Sequence, residues 1–200
     1  NTPGVLTETT ADLAWALLMS IARRIVEGDR FIRAGKFRGW EPMLLLGTDI
    51  HDATLGLIGM GRIGQAMAHR ARGFNLKVIY YDKKPVSIDL EKELGVSYRN
   101  FDNLLRESDF VSIHVPLNEE TFHLIGQREL KLMKKESYLI NTARGPIVDE
   151  KALAKALREG IIRGAALDVF ENEPKIEPEL MDLDNLIMVP HIGSASYQTR

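Results

Sequence analysis

Short apolar runs alternate with longer polar or amphipathic segments from Thr54 to the end of the chain. Runs rich in β-branched and aromatic residues are typical of buried strands, and the segments between them have helical spacing. The predicted strands cover residues 54–58, 76–81, 96–98, 110–115, 138–141, 164–169 and 186–189. The predicted helices cover residues 65–72, 89–94, 102–107, 128–133 and 149–159. This alternation indicates right-handed βαβ crossovers and therefore an α/β fold with a doubly wound parallel sheet.

The first part of the chain has a different pattern, in which apolar residues surround nearly the whole of one predicted helix. Thr9 and Asp12 have the spacing of a capping box at its start, and the helix is expected to run to Val26. Such a helix must be covered, either within its own domain or by a second subunit. Three aromatic residues continue the apolar surface after it: Phe31, Phe37 and Trp40. This continuity favours a long helical element that forms a subunit interface.

A glycine-rich loop follows the first predicted strand. Gly59 permits a tight turn, Gly61 lets the backbone approach a pyrophosphate, and Gly64 lets the next helix pack closely on the strand. Asp82 follows the second strand, where it is placed to accept a hydrogen bond from a ribose hydroxyl. The sequence therefore predicts a dinucleotide site on a Rossmann-type sheet. We expect one nucleotide-binding domain, with a helical dimerisation arm and loop at residues 1–47 and the Rossmann core at residues 48–200.

Composition and charge narrow the class of partner. The 200 residues are 44% hydrophobic, which is enough for a substantial core. The net charge of -2, from 26 basic and 28 acidic side chains without long runs of one sign, predicts neither a nucleic acid nor a membrane surface as partner. The absence of cysteine excludes disulfides, thiolate metal sites and cysteine nucleophiles. A cytoplasmic protein with a small-molecule ligand is expected, because no secretion signal or membrane-spanning run is found.

Polar residues follow several predicted strands, and open α/β sheets bind their ligands at this edge. Arg144, Glu173 and His191 are the set with a common chemical purpose. An arginine can hold a carboxylate and polarise a carbonyl oxygen, and a histidine can donate a proton to the alkoxide that forms. A neighbouring carboxylate favours the imidazolium and orients the ring, which is the role expected of Glu173. Taken singly, each could instead be a surface ion pair, a solvated loop residue or a partner of local backbone.

The other histidines are weaker candidates for chemistry. His69 falls on the first crossover helix and is expected at the surface. His51 and His123 fall in loops without partners at ligand spacing, so no metal site is predicted. His114 falls within the fourth predicted strand, where we expect a packed role.

The order of the motifs resembles that of the NAD-dependent D-2-hydroxyacid dehydrogenases, and the likeness runs through the whole chain. The motifs are GMGRIG at 59–64, the strand ending in Asp82, VPL at 115–117 followed by Thr121, NTARG at 141–145, ALDVFENEP at 166–174 and PHIGSAS at 190–196. The resemblance implies that Arg144 binds the substrate carboxylate and carbonyl, that His191 is the acid and base, and that Glu173 is its partner.

The same resemblance implies a set of cofactor contacts. Asp168 would contact the nicotinamide carboxamide, while Arg62 and Ile63 would border the pyrophosphate. The full implied set is Gly59, Gly61, Arg62, Ile63, Gly64, Asp82, Pro116, Thr121, Thr142, Ala143, Arg144, Asp168, His191 and Gly193. No metal ligand belongs to it.

Within the family, segment 40–47 looks like the glyoxylate and hydroxypyruvate reductase branch. This likeness implies reduction of glyoxylate or hydroxypyruvate, the small 2-keto acids, with transfer of a hydride from the nicotinamide cofactor. Asp82 would repel a ribose phosphate and so favours NAD, whereas Lys83 and Lys84 leave NADP as a second option.

The family also implies features of the whole protein. The opening helix of this chain is similar to the family's dimerisation element, so a homodimer is expected. Family members carry a separate substrate domain, which we expect to be absent from this chain, leaving a poorly active fragment. Two other functions remain open: an NAD(H)-sensing interaction protein like the family's corepressor relatives, and an isolated dimeric cofactor-binding module without turnover.

Overall fold

The computed structural model describes residues 5–199, which form a seven-stranded sheet whose paired strands are all parallel. The strands are β1 (Thr54–Ile58), β2 (Lys77–Tyr81), β3 (Val96–Tyr98), β4 (Phe110–Ile113), β5 (Tyr138–Asn141), β6 (Gly164–Leu167) and β7 (Leu186–Met188). Their order across the sheet is β3-β2-β1-β4-β5-β6-β7. The order reverses between β1 and β4, and α/β sheets bind ligands beyond the carboxyl ends of the strands at such a point. The predicted fold class is confirmed.

Helices cover both faces of this sheet. One face carries α1 (Val5–Ala22), α3 (Arg62–Arg72) and α4 (Ile88–Leu94), and the other carries α5 (Phe101–Glu107), α6 (Gln127–Leu132) and α7 (Glu150–Arg158). The remaining helix, α2 (Ile25–Arg33), follows α1. Successive residues of a strand point to opposite faces, so Phe110 and Val111 of β4 belong to different cores. The two cores hold the sheet rigid beneath its carboxyl edge.

α1 packs within this domain, on the face formed by β5, β6 and β7. Ala11, Ala14 and Leu18 are fully buried there. Trp15 packs against Phe74, which follows α3, with ring centroids 5.1 Å apart. Of the two ways to cover this helix, burial within its own domain is therefore the one that the structure shows for α1.

The predicted start of this helix is wrong. Among the described residues α1 already begins at Val5, so Thr9 and Asp12 lie inside the helix and form no capping box. The Thr9 hydroxyl instead lies 2.7 Å from the hydroxyl of Thr199. Asp12 accepts a 2.5 Å bond from the guanidinium of Arg70 in α3. The two side chains connect α1 to its neighbours rather than to its own backbone.

The predicted continuation of the helix to Val26 is also wrong, because the chain breaks between α1 and α2. Arg24 has a φ of 54°, which places it in the left-handed region, and its guanidinium pairs with Glu27 at 2.5 Å. The carbonyl of Ala22 accepts a 2.8 Å bond from the N–H of Thr48. The returning chain thus occupies the end of α1 and prevents another turn.

Segment 25–46 is the part of the predicted dimerisation arm that follows α1, and from here on we call this segment alone the arm. It exposes much of its apolar surface. Its exposed large apolar side chains are Ile25, Ile32, Phe37, Trp40, Met43 and Leu46. Trp40 is 84% exposed. A groove of about 660 Å³ lies between α2 and the β7 edge of the sheet, with Val26, Phe31 and Ile187 in its lining. Exposed apolar surface concentrated in one segment is typical of an interaction site.

Several elements differ in length from their predicted bounds. β4 ends at Ile113 rather than 115, β6 at Leu167 rather than 169, and β7 at Met188 rather than 189. β2 begins at Lys77 rather than 76, and α3 begins at Arg62 rather than 65. The residues that follow β4, β6 and β7 lead into the loops of the candidate site.

Candidate functional site

The glycine loop 59–64 joins β1 to α3 at the point where the strand order reverses. Gly59 has a φ of +98°, and a Cβ there would lie 2.7 Å from the carbonyl oxygen of His114. A Cβ on Gly64 would lie 2.2 Å from the carbonyl oxygen of Gly59. A Cβ on Gly61 would meet nothing within 4 Å. The loop therefore packs tightly at both ends and is open at the position expected to face a pyrophosphate.

Asp82 lies directly after β2, beside this loop. Its carboxylate oxygens accept the N–H of Met60 at 2.8 Å and the N–H of Lys83 at 2.7 Å. A carboxylate has lone pairs left after two such bonds, so Asp82 is held in place and can still accept ribose hydroxyls. The ammonium of Lys83 pairs with Glu120 in the loop after β4.

Thr142 and Thr121 use their hydroxyls differently. Thr142 follows β5 and is 7% exposed. Among the buried side-chain polar atoms of residues 5–199, its Oγ1 is the one without a hydrogen-bond partner. Buried polar atoms are normally paired, so this hydroxyl is suited to a ligand group. The hydroxyl of Thr121 donates to the carbonyl of Pro116 at 2.7 Å and closes the turn after β4.

The remaining residues implied along the cofactor lie at the same edge. Arg62 is exposed and Ile63 is half-buried in the first turn of α3. Ala143 is half-buried after β5, and its N–H donates to the side chain of Asn141 at 3.0 Å. Together with the open space at Gly61, the Asp82 lone pairs and the unpartnered Thr142 hydroxyl, these positions fit a dinucleotide.

Arg144, Glu173 and His191 line one open cleft of about 570 Å³ beyond the sheet. His191 Nδ1 lies 2.9 Å from Glu173 Oε2. An ionised carboxylate only accepts hydrogen bonds, so Nδ1 carries the proton of this pair and Nε2 is the nitrogen left for a ligand. The guanidinium of Arg144 is exposed and donates one bond to the carbonyl of Ala143 at 2.6 Å. The structure thus brings the three predicted residues together.

The pKa of Glu173 is below its ordinary value. Partial burial opposes ionisation, but hydrogen bonds from His191 and from the N–H of Phe170 outweigh it, and the charge of Arg144 acts in the same direction. A lowered pKa contributes stability above the unfolded-state pKa, and this stability is lost as the pH falls through the lowered value. The contribution is small because both side chains are partly exposed. Near neutral pH, Glu173 is therefore ionised and holds His191.

Asp168 fixes the turn that carries His191. Its carboxylate accepts the N–H of Ile192 at 2.6 Å and that of Gly193 at 2.8 Å, and its carbonyl accepts the N–H of His191 at 2.9 Å. His191 has a φ of 52°, a left-handed conformation that persists only where neighbours hold it. Burial raises the pKa of Asp168, although the two amides oppose the rise. Asp168 thus acts on the turn in addition to any contact with nicotinamide.

The loop histidines have acidic partners that the sequence did not indicate. His51 Nδ1 lies 3.0 Å from Asp52, and His123 Nε2 lies 3.0 Å from Glu171. Both contacts are hydrogen-bonded ion pairs, whereas the expectation concerned partners at metal-ligand spacing. Within residues 5–199, however, no three His, Asp or Glu side chains are grouped closely enough to hold a metal ion.

His114 and His69 take no part in the cleft chemistry. His114 lies one residue after β4 rather than within it, and its Nε2 is 2.9 Å from the hydroxyl of Ser112. Burial lowers the pKa of His114 to about 3, so the ring is neutral at physiological pH and cannot donate a proton as an imidazolium. His69 is exposed on α3, as predicted.

In the described part of the chain, no helix has both the length and the apolar character needed to cross a membrane.

Sequence reasoning missed Glu150, a buried acid near the cleft. Glu150 is the first residue of α7 and directly follows Asp149, whose side chain caps the helix through the N–H of Ala152 at 3.0 Å. An acid at this position is usually an exposed charge that favours the helix N-terminus. Glu150 is instead 3% exposed and accepts the N–H of Glu171 at 2.7 Å. The partner lies in a distant loop, so local sequence carried no signal for it.

A parallel sheet with this strand order, a glycine loop at the reversal and an acid after β2 define a dinucleotide-binding protein of the Rossmann class. A cationic side chain and a carboxylate-bound histidine lie at the same edge. The family model described as "D-isomer specific 2-hydroxyacid dehydrogenase, NAD binding domain" matches residues 15–193. The chain belongs to this family and is its NAD-binding domain.

Named relatives agree with this assignment. A glyoxylate reductase of Korarchaeum cryptofilum is 58% identical over 100% of this chain and 60% of its own length. The crystal structure of a glyoxylate reductase from Paecilomyes thermophila has a TM-score of 0.91 at 41% identity, with 99% of this chain and 59% of that chain covered. The NAD-complexed D-isomer specific 2-hydroxyacid dehydrogenase of Lactobacillus delbrueckii has a TM-score of 0.85 at 33% identity, with 100% of this chain and 63% of that chain covered. The chain thus spans about three fifths of the length of the relatives it matches.

Proposed function

We propose that the protein containing this domain reduces a small 2-keto acid to the D-2-hydroxy acid with NADH, and that glyoxylate or hydroxypyruvate is its substrate. The observation that carries this proposal is the placement of Arg144 and the Glu173–His191 pair in one cleft at the sheet edge that bears the glycine loop. These groups meet the needs of a keto acid, which are a cation for its carboxylate and a proton for its carbonyl oxygen.

The chain's own residues have distinct roles in this proposal. Arg144 binds the substrate carboxylate and polarises the carbonyl, since its exposed guanidinium keeps donors free for a ligand. His191 holds the proton at Nε2 and transfers it to the carbonyl oxygen as the carbon is reduced. Glu173 orients the ring through Nδ1 and stabilises its charged form. When bound, the reduced nicotinamide supplies the hydride that the carbonyl carbon receives.

Two features support the choice of substrate and cofactor form. The relative from Korarchaeum cryptofilum and the structure from Paecilomyes thermophila are both named glyoxylate reductases. In this proposal the Asp82 carboxylate lies beside the ribose, and Glu120 pairs with the neighbouring cation, Lys83. A ribose phosphate would be repelled there, so we propose NADH in preference to NADPH.

A panel of small 2-keto acids, assayed with NADH and with NADPH on the full-length protein, tests this function. Glyoxylate and hydroxypyruvate are expected to give the highest kcat/KM, and NADH at least tenfold more turnover than NADPH. The isolated 200-residue chain is expected to bind NADH in a calorimetric titration and to turn over slowly, because Arg144 and His191 are exposed on one side of the cleft. A full-length protein that oxidises NADH with none of these acids would contradict the proposal.

We propose further that the arm joins two copies of this chain into a homodimer. The arm exposes six large apolar side chains, and the groove beside α2 offers apolar residues that such an arm can contact. A two-fold dimer pairs the same surfaces twice, so an arm and a groove on each copy are enough for a closed assembly.

A charge placed on the arm tests the dimer. Trp40→Asp is expected to convert a dimer to a monomer in sedimentation analysis, because it places a charge in the proposed apolar contact. Ile88→Asp is the matched control: Ile88 is 61% exposed, but it lies on α4 near the β3 edge of the sheet. Ile88→Asp should leave the mass measured by sedimentation equal to that of the wild-type dimer. A wild-type chain that sediments as a monomer would exclude the proposed dimer.

A further inference from the structure

A buried acid outside the proposed catalytic set holds the loop behind Glu173. Glu150 Oε1 accepts the N–H of Glu171 at 2.7 Å, and the backbone of Glu177 also favours its charged form. Burying a carboxylate is unfavourable unless polar partners replace water. These contacts therefore give Glu150 a defined structural task, which is to hold the start of the loop.

The peptide between Phe170 and Glu171 is also fixed from its other side. A Cβ on Gly145 would lie 1.9 Å from the carbonyl carbon and oxygen of Phe170, so the two backbones are in direct contact. His123 adds another link. Its ring Nε2 lies 3.0 Å from Glu171 Oε1, and its backbone N–H donates to the carbonyl of Pro146 at 2.8 Å. The loop thus begins at a peptide that has little freedom to move.

The preceding peptide, which joins Val169 to Phe170 and so shares Phe170 with the fixed one, sets the position of Glu173. The N–H of Phe170 donates to Glu173 Oε1 at 2.9 Å, while Oε2 binds His191 Nδ1 at 2.9 Å. A shift of the Phe170–Glu171 peptide would move Phe170 and, through the Phe170 N–H, the carboxylate that orients His191. We propose that Glu150 is a positioning residue that holds Glu173 against His191. The inference rests on the proposed function in that His191 is the proton donor whose ring is being oriented.

The geometry requires the reach of Glu150 rather than its charge. Burial raises the pKa of Glu150, while the bound amides oppose the rise. A neutral oxygen at the same distance can also accept the Glu171 N–H, although more weakly than a carboxylate does. Glu150→Gln keeps the side-chain length and removes the charge, whereas Glu150→Asp keeps the charge and removes one methylene. The two variants separate positioning from electrostatics.

The tautomer of His191 in this 200-residue chain reports the outcome. Long-range proton–nitrogen correlation spectra distinguish an Nδ1–H ring from an Nε2–H ring. We expect the Nδ1–H form in the wild type and in Glu150→Gln, and a shift to the Nε2–H form of free imidazole in Glu150→Asp. Glu150→Met, which keeps the volume and removes the acceptor, is the second variant and should shift in the same way. Asp149→Ala is the control, because it removes the α7 cap but leaves the Glu171 amide bound.

The result is independent of turnover. Retention of the Nδ1–H form in Glu150→Asp or Glu150→Met would overturn the proposal, as would its loss in Glu150→Gln. In the full-length protein we expect Glu150→Asp to lower kcat about 10-fold to 100-fold, the size of effect that a small misplacement produces, with little change in the Kd for NADH. A full-length protein that is inactive on keto acids would contradict the proposed function and leave the tautomer result intact.

Discussion

Replacing His191 with alanine in the full-length protein is expected to lower kcat for keto-acid reduction by about 10²-fold to 10⁴-fold, the usual contribution of a general acid. This loss corresponds to about 2.7–5.5 kcal/mol in the activation barrier. The Kd for NADH should change far less, because the proposed contacts of the glycine loop and Asp82 with the rest of the cofactor remain. Absorbance assays of NADH oxidation and fluorescence titration of NADH separate the two quantities.

Two variants sharpen this expectation. His69→Ala changes an exposed histidine on α3 and should keep full turnover. The kcat of Glu173→Gln should lie between those of His191→Ala and His69→Ala. This substitution removes the charge that stabilises the imidazolium, but it leaves the proton donor in place. If His191→Ala kept wild-type kcat, the proton would have to come from another group, and the assignment of this cleft would be wrong.

Alanine at Gly64 is expected to lower the free energy of unfolding by about 2–3 kcal/mol, because the added Cβ would lie 2.2 Å from the carbonyl oxygen of Gly59. Backbone at this distance must move, and the loop that faces the cofactor moves with it. Urea denaturation of the 200-residue chain measures the change. Binding of NADH should weaken in parallel.

Alanine at Gly61 should have the opposite pattern. Gly61 has φ -73° and ψ -168°, which alanine adopts freely, and its Cβ would meet no atom within 4 Å. Stability should therefore be unchanged or rise by about 0.4–1 kcal/mol. NADH affinity should still fall about 10-fold or more, because the methyl group would occupy the space where we propose that the pyrophosphate binds. Equal losses of stability in the two variants would show that Gly61 is not the open position of the loop.

The sheet was predictable because its strands are short runs of residues with high β propensity. β1, β3 and β5 have the predicted bounds. Apart from the first residue of β2, the strand errors fall at carboxyl ends, where apolar residues continue beyond the strand: Val169 follows Asp168, whose carbonyl and carboxylate bind the turn that carries His191. A local pattern reports apolar character, but it does not report where a side chain such as Asp168 draws the backbone away.

Contacts between distant segments limited the prediction of the site. Arg144, Glu173 and His191 were found because each follows a strand, and parallel strands bring their carboxyl ends to one edge. Glu150 and His123 were missed as partners because both bind Glu171, which lies in a loop remote from either in sequence. The apolar pattern of α1 showed that the helix must be covered, but the covering strands β5 to β7 lie far along the chain.

This placement of α1 has a consequence for how the polypeptide acquires its structure on the ribosome. The helix is synthesised before the strands β5 to β7 that it covers, and the hydroxyls of Thr9 and Thr199 meet across a separation of 190 positions. Contacts of such long range slow folding and leave apolar surface exposed in the nascent chain. The part of α1 that packs on β5, β6 and β7 therefore has no native partner until these strands have left the exit tunnel, and we expect it to be open to chaperones during that interval.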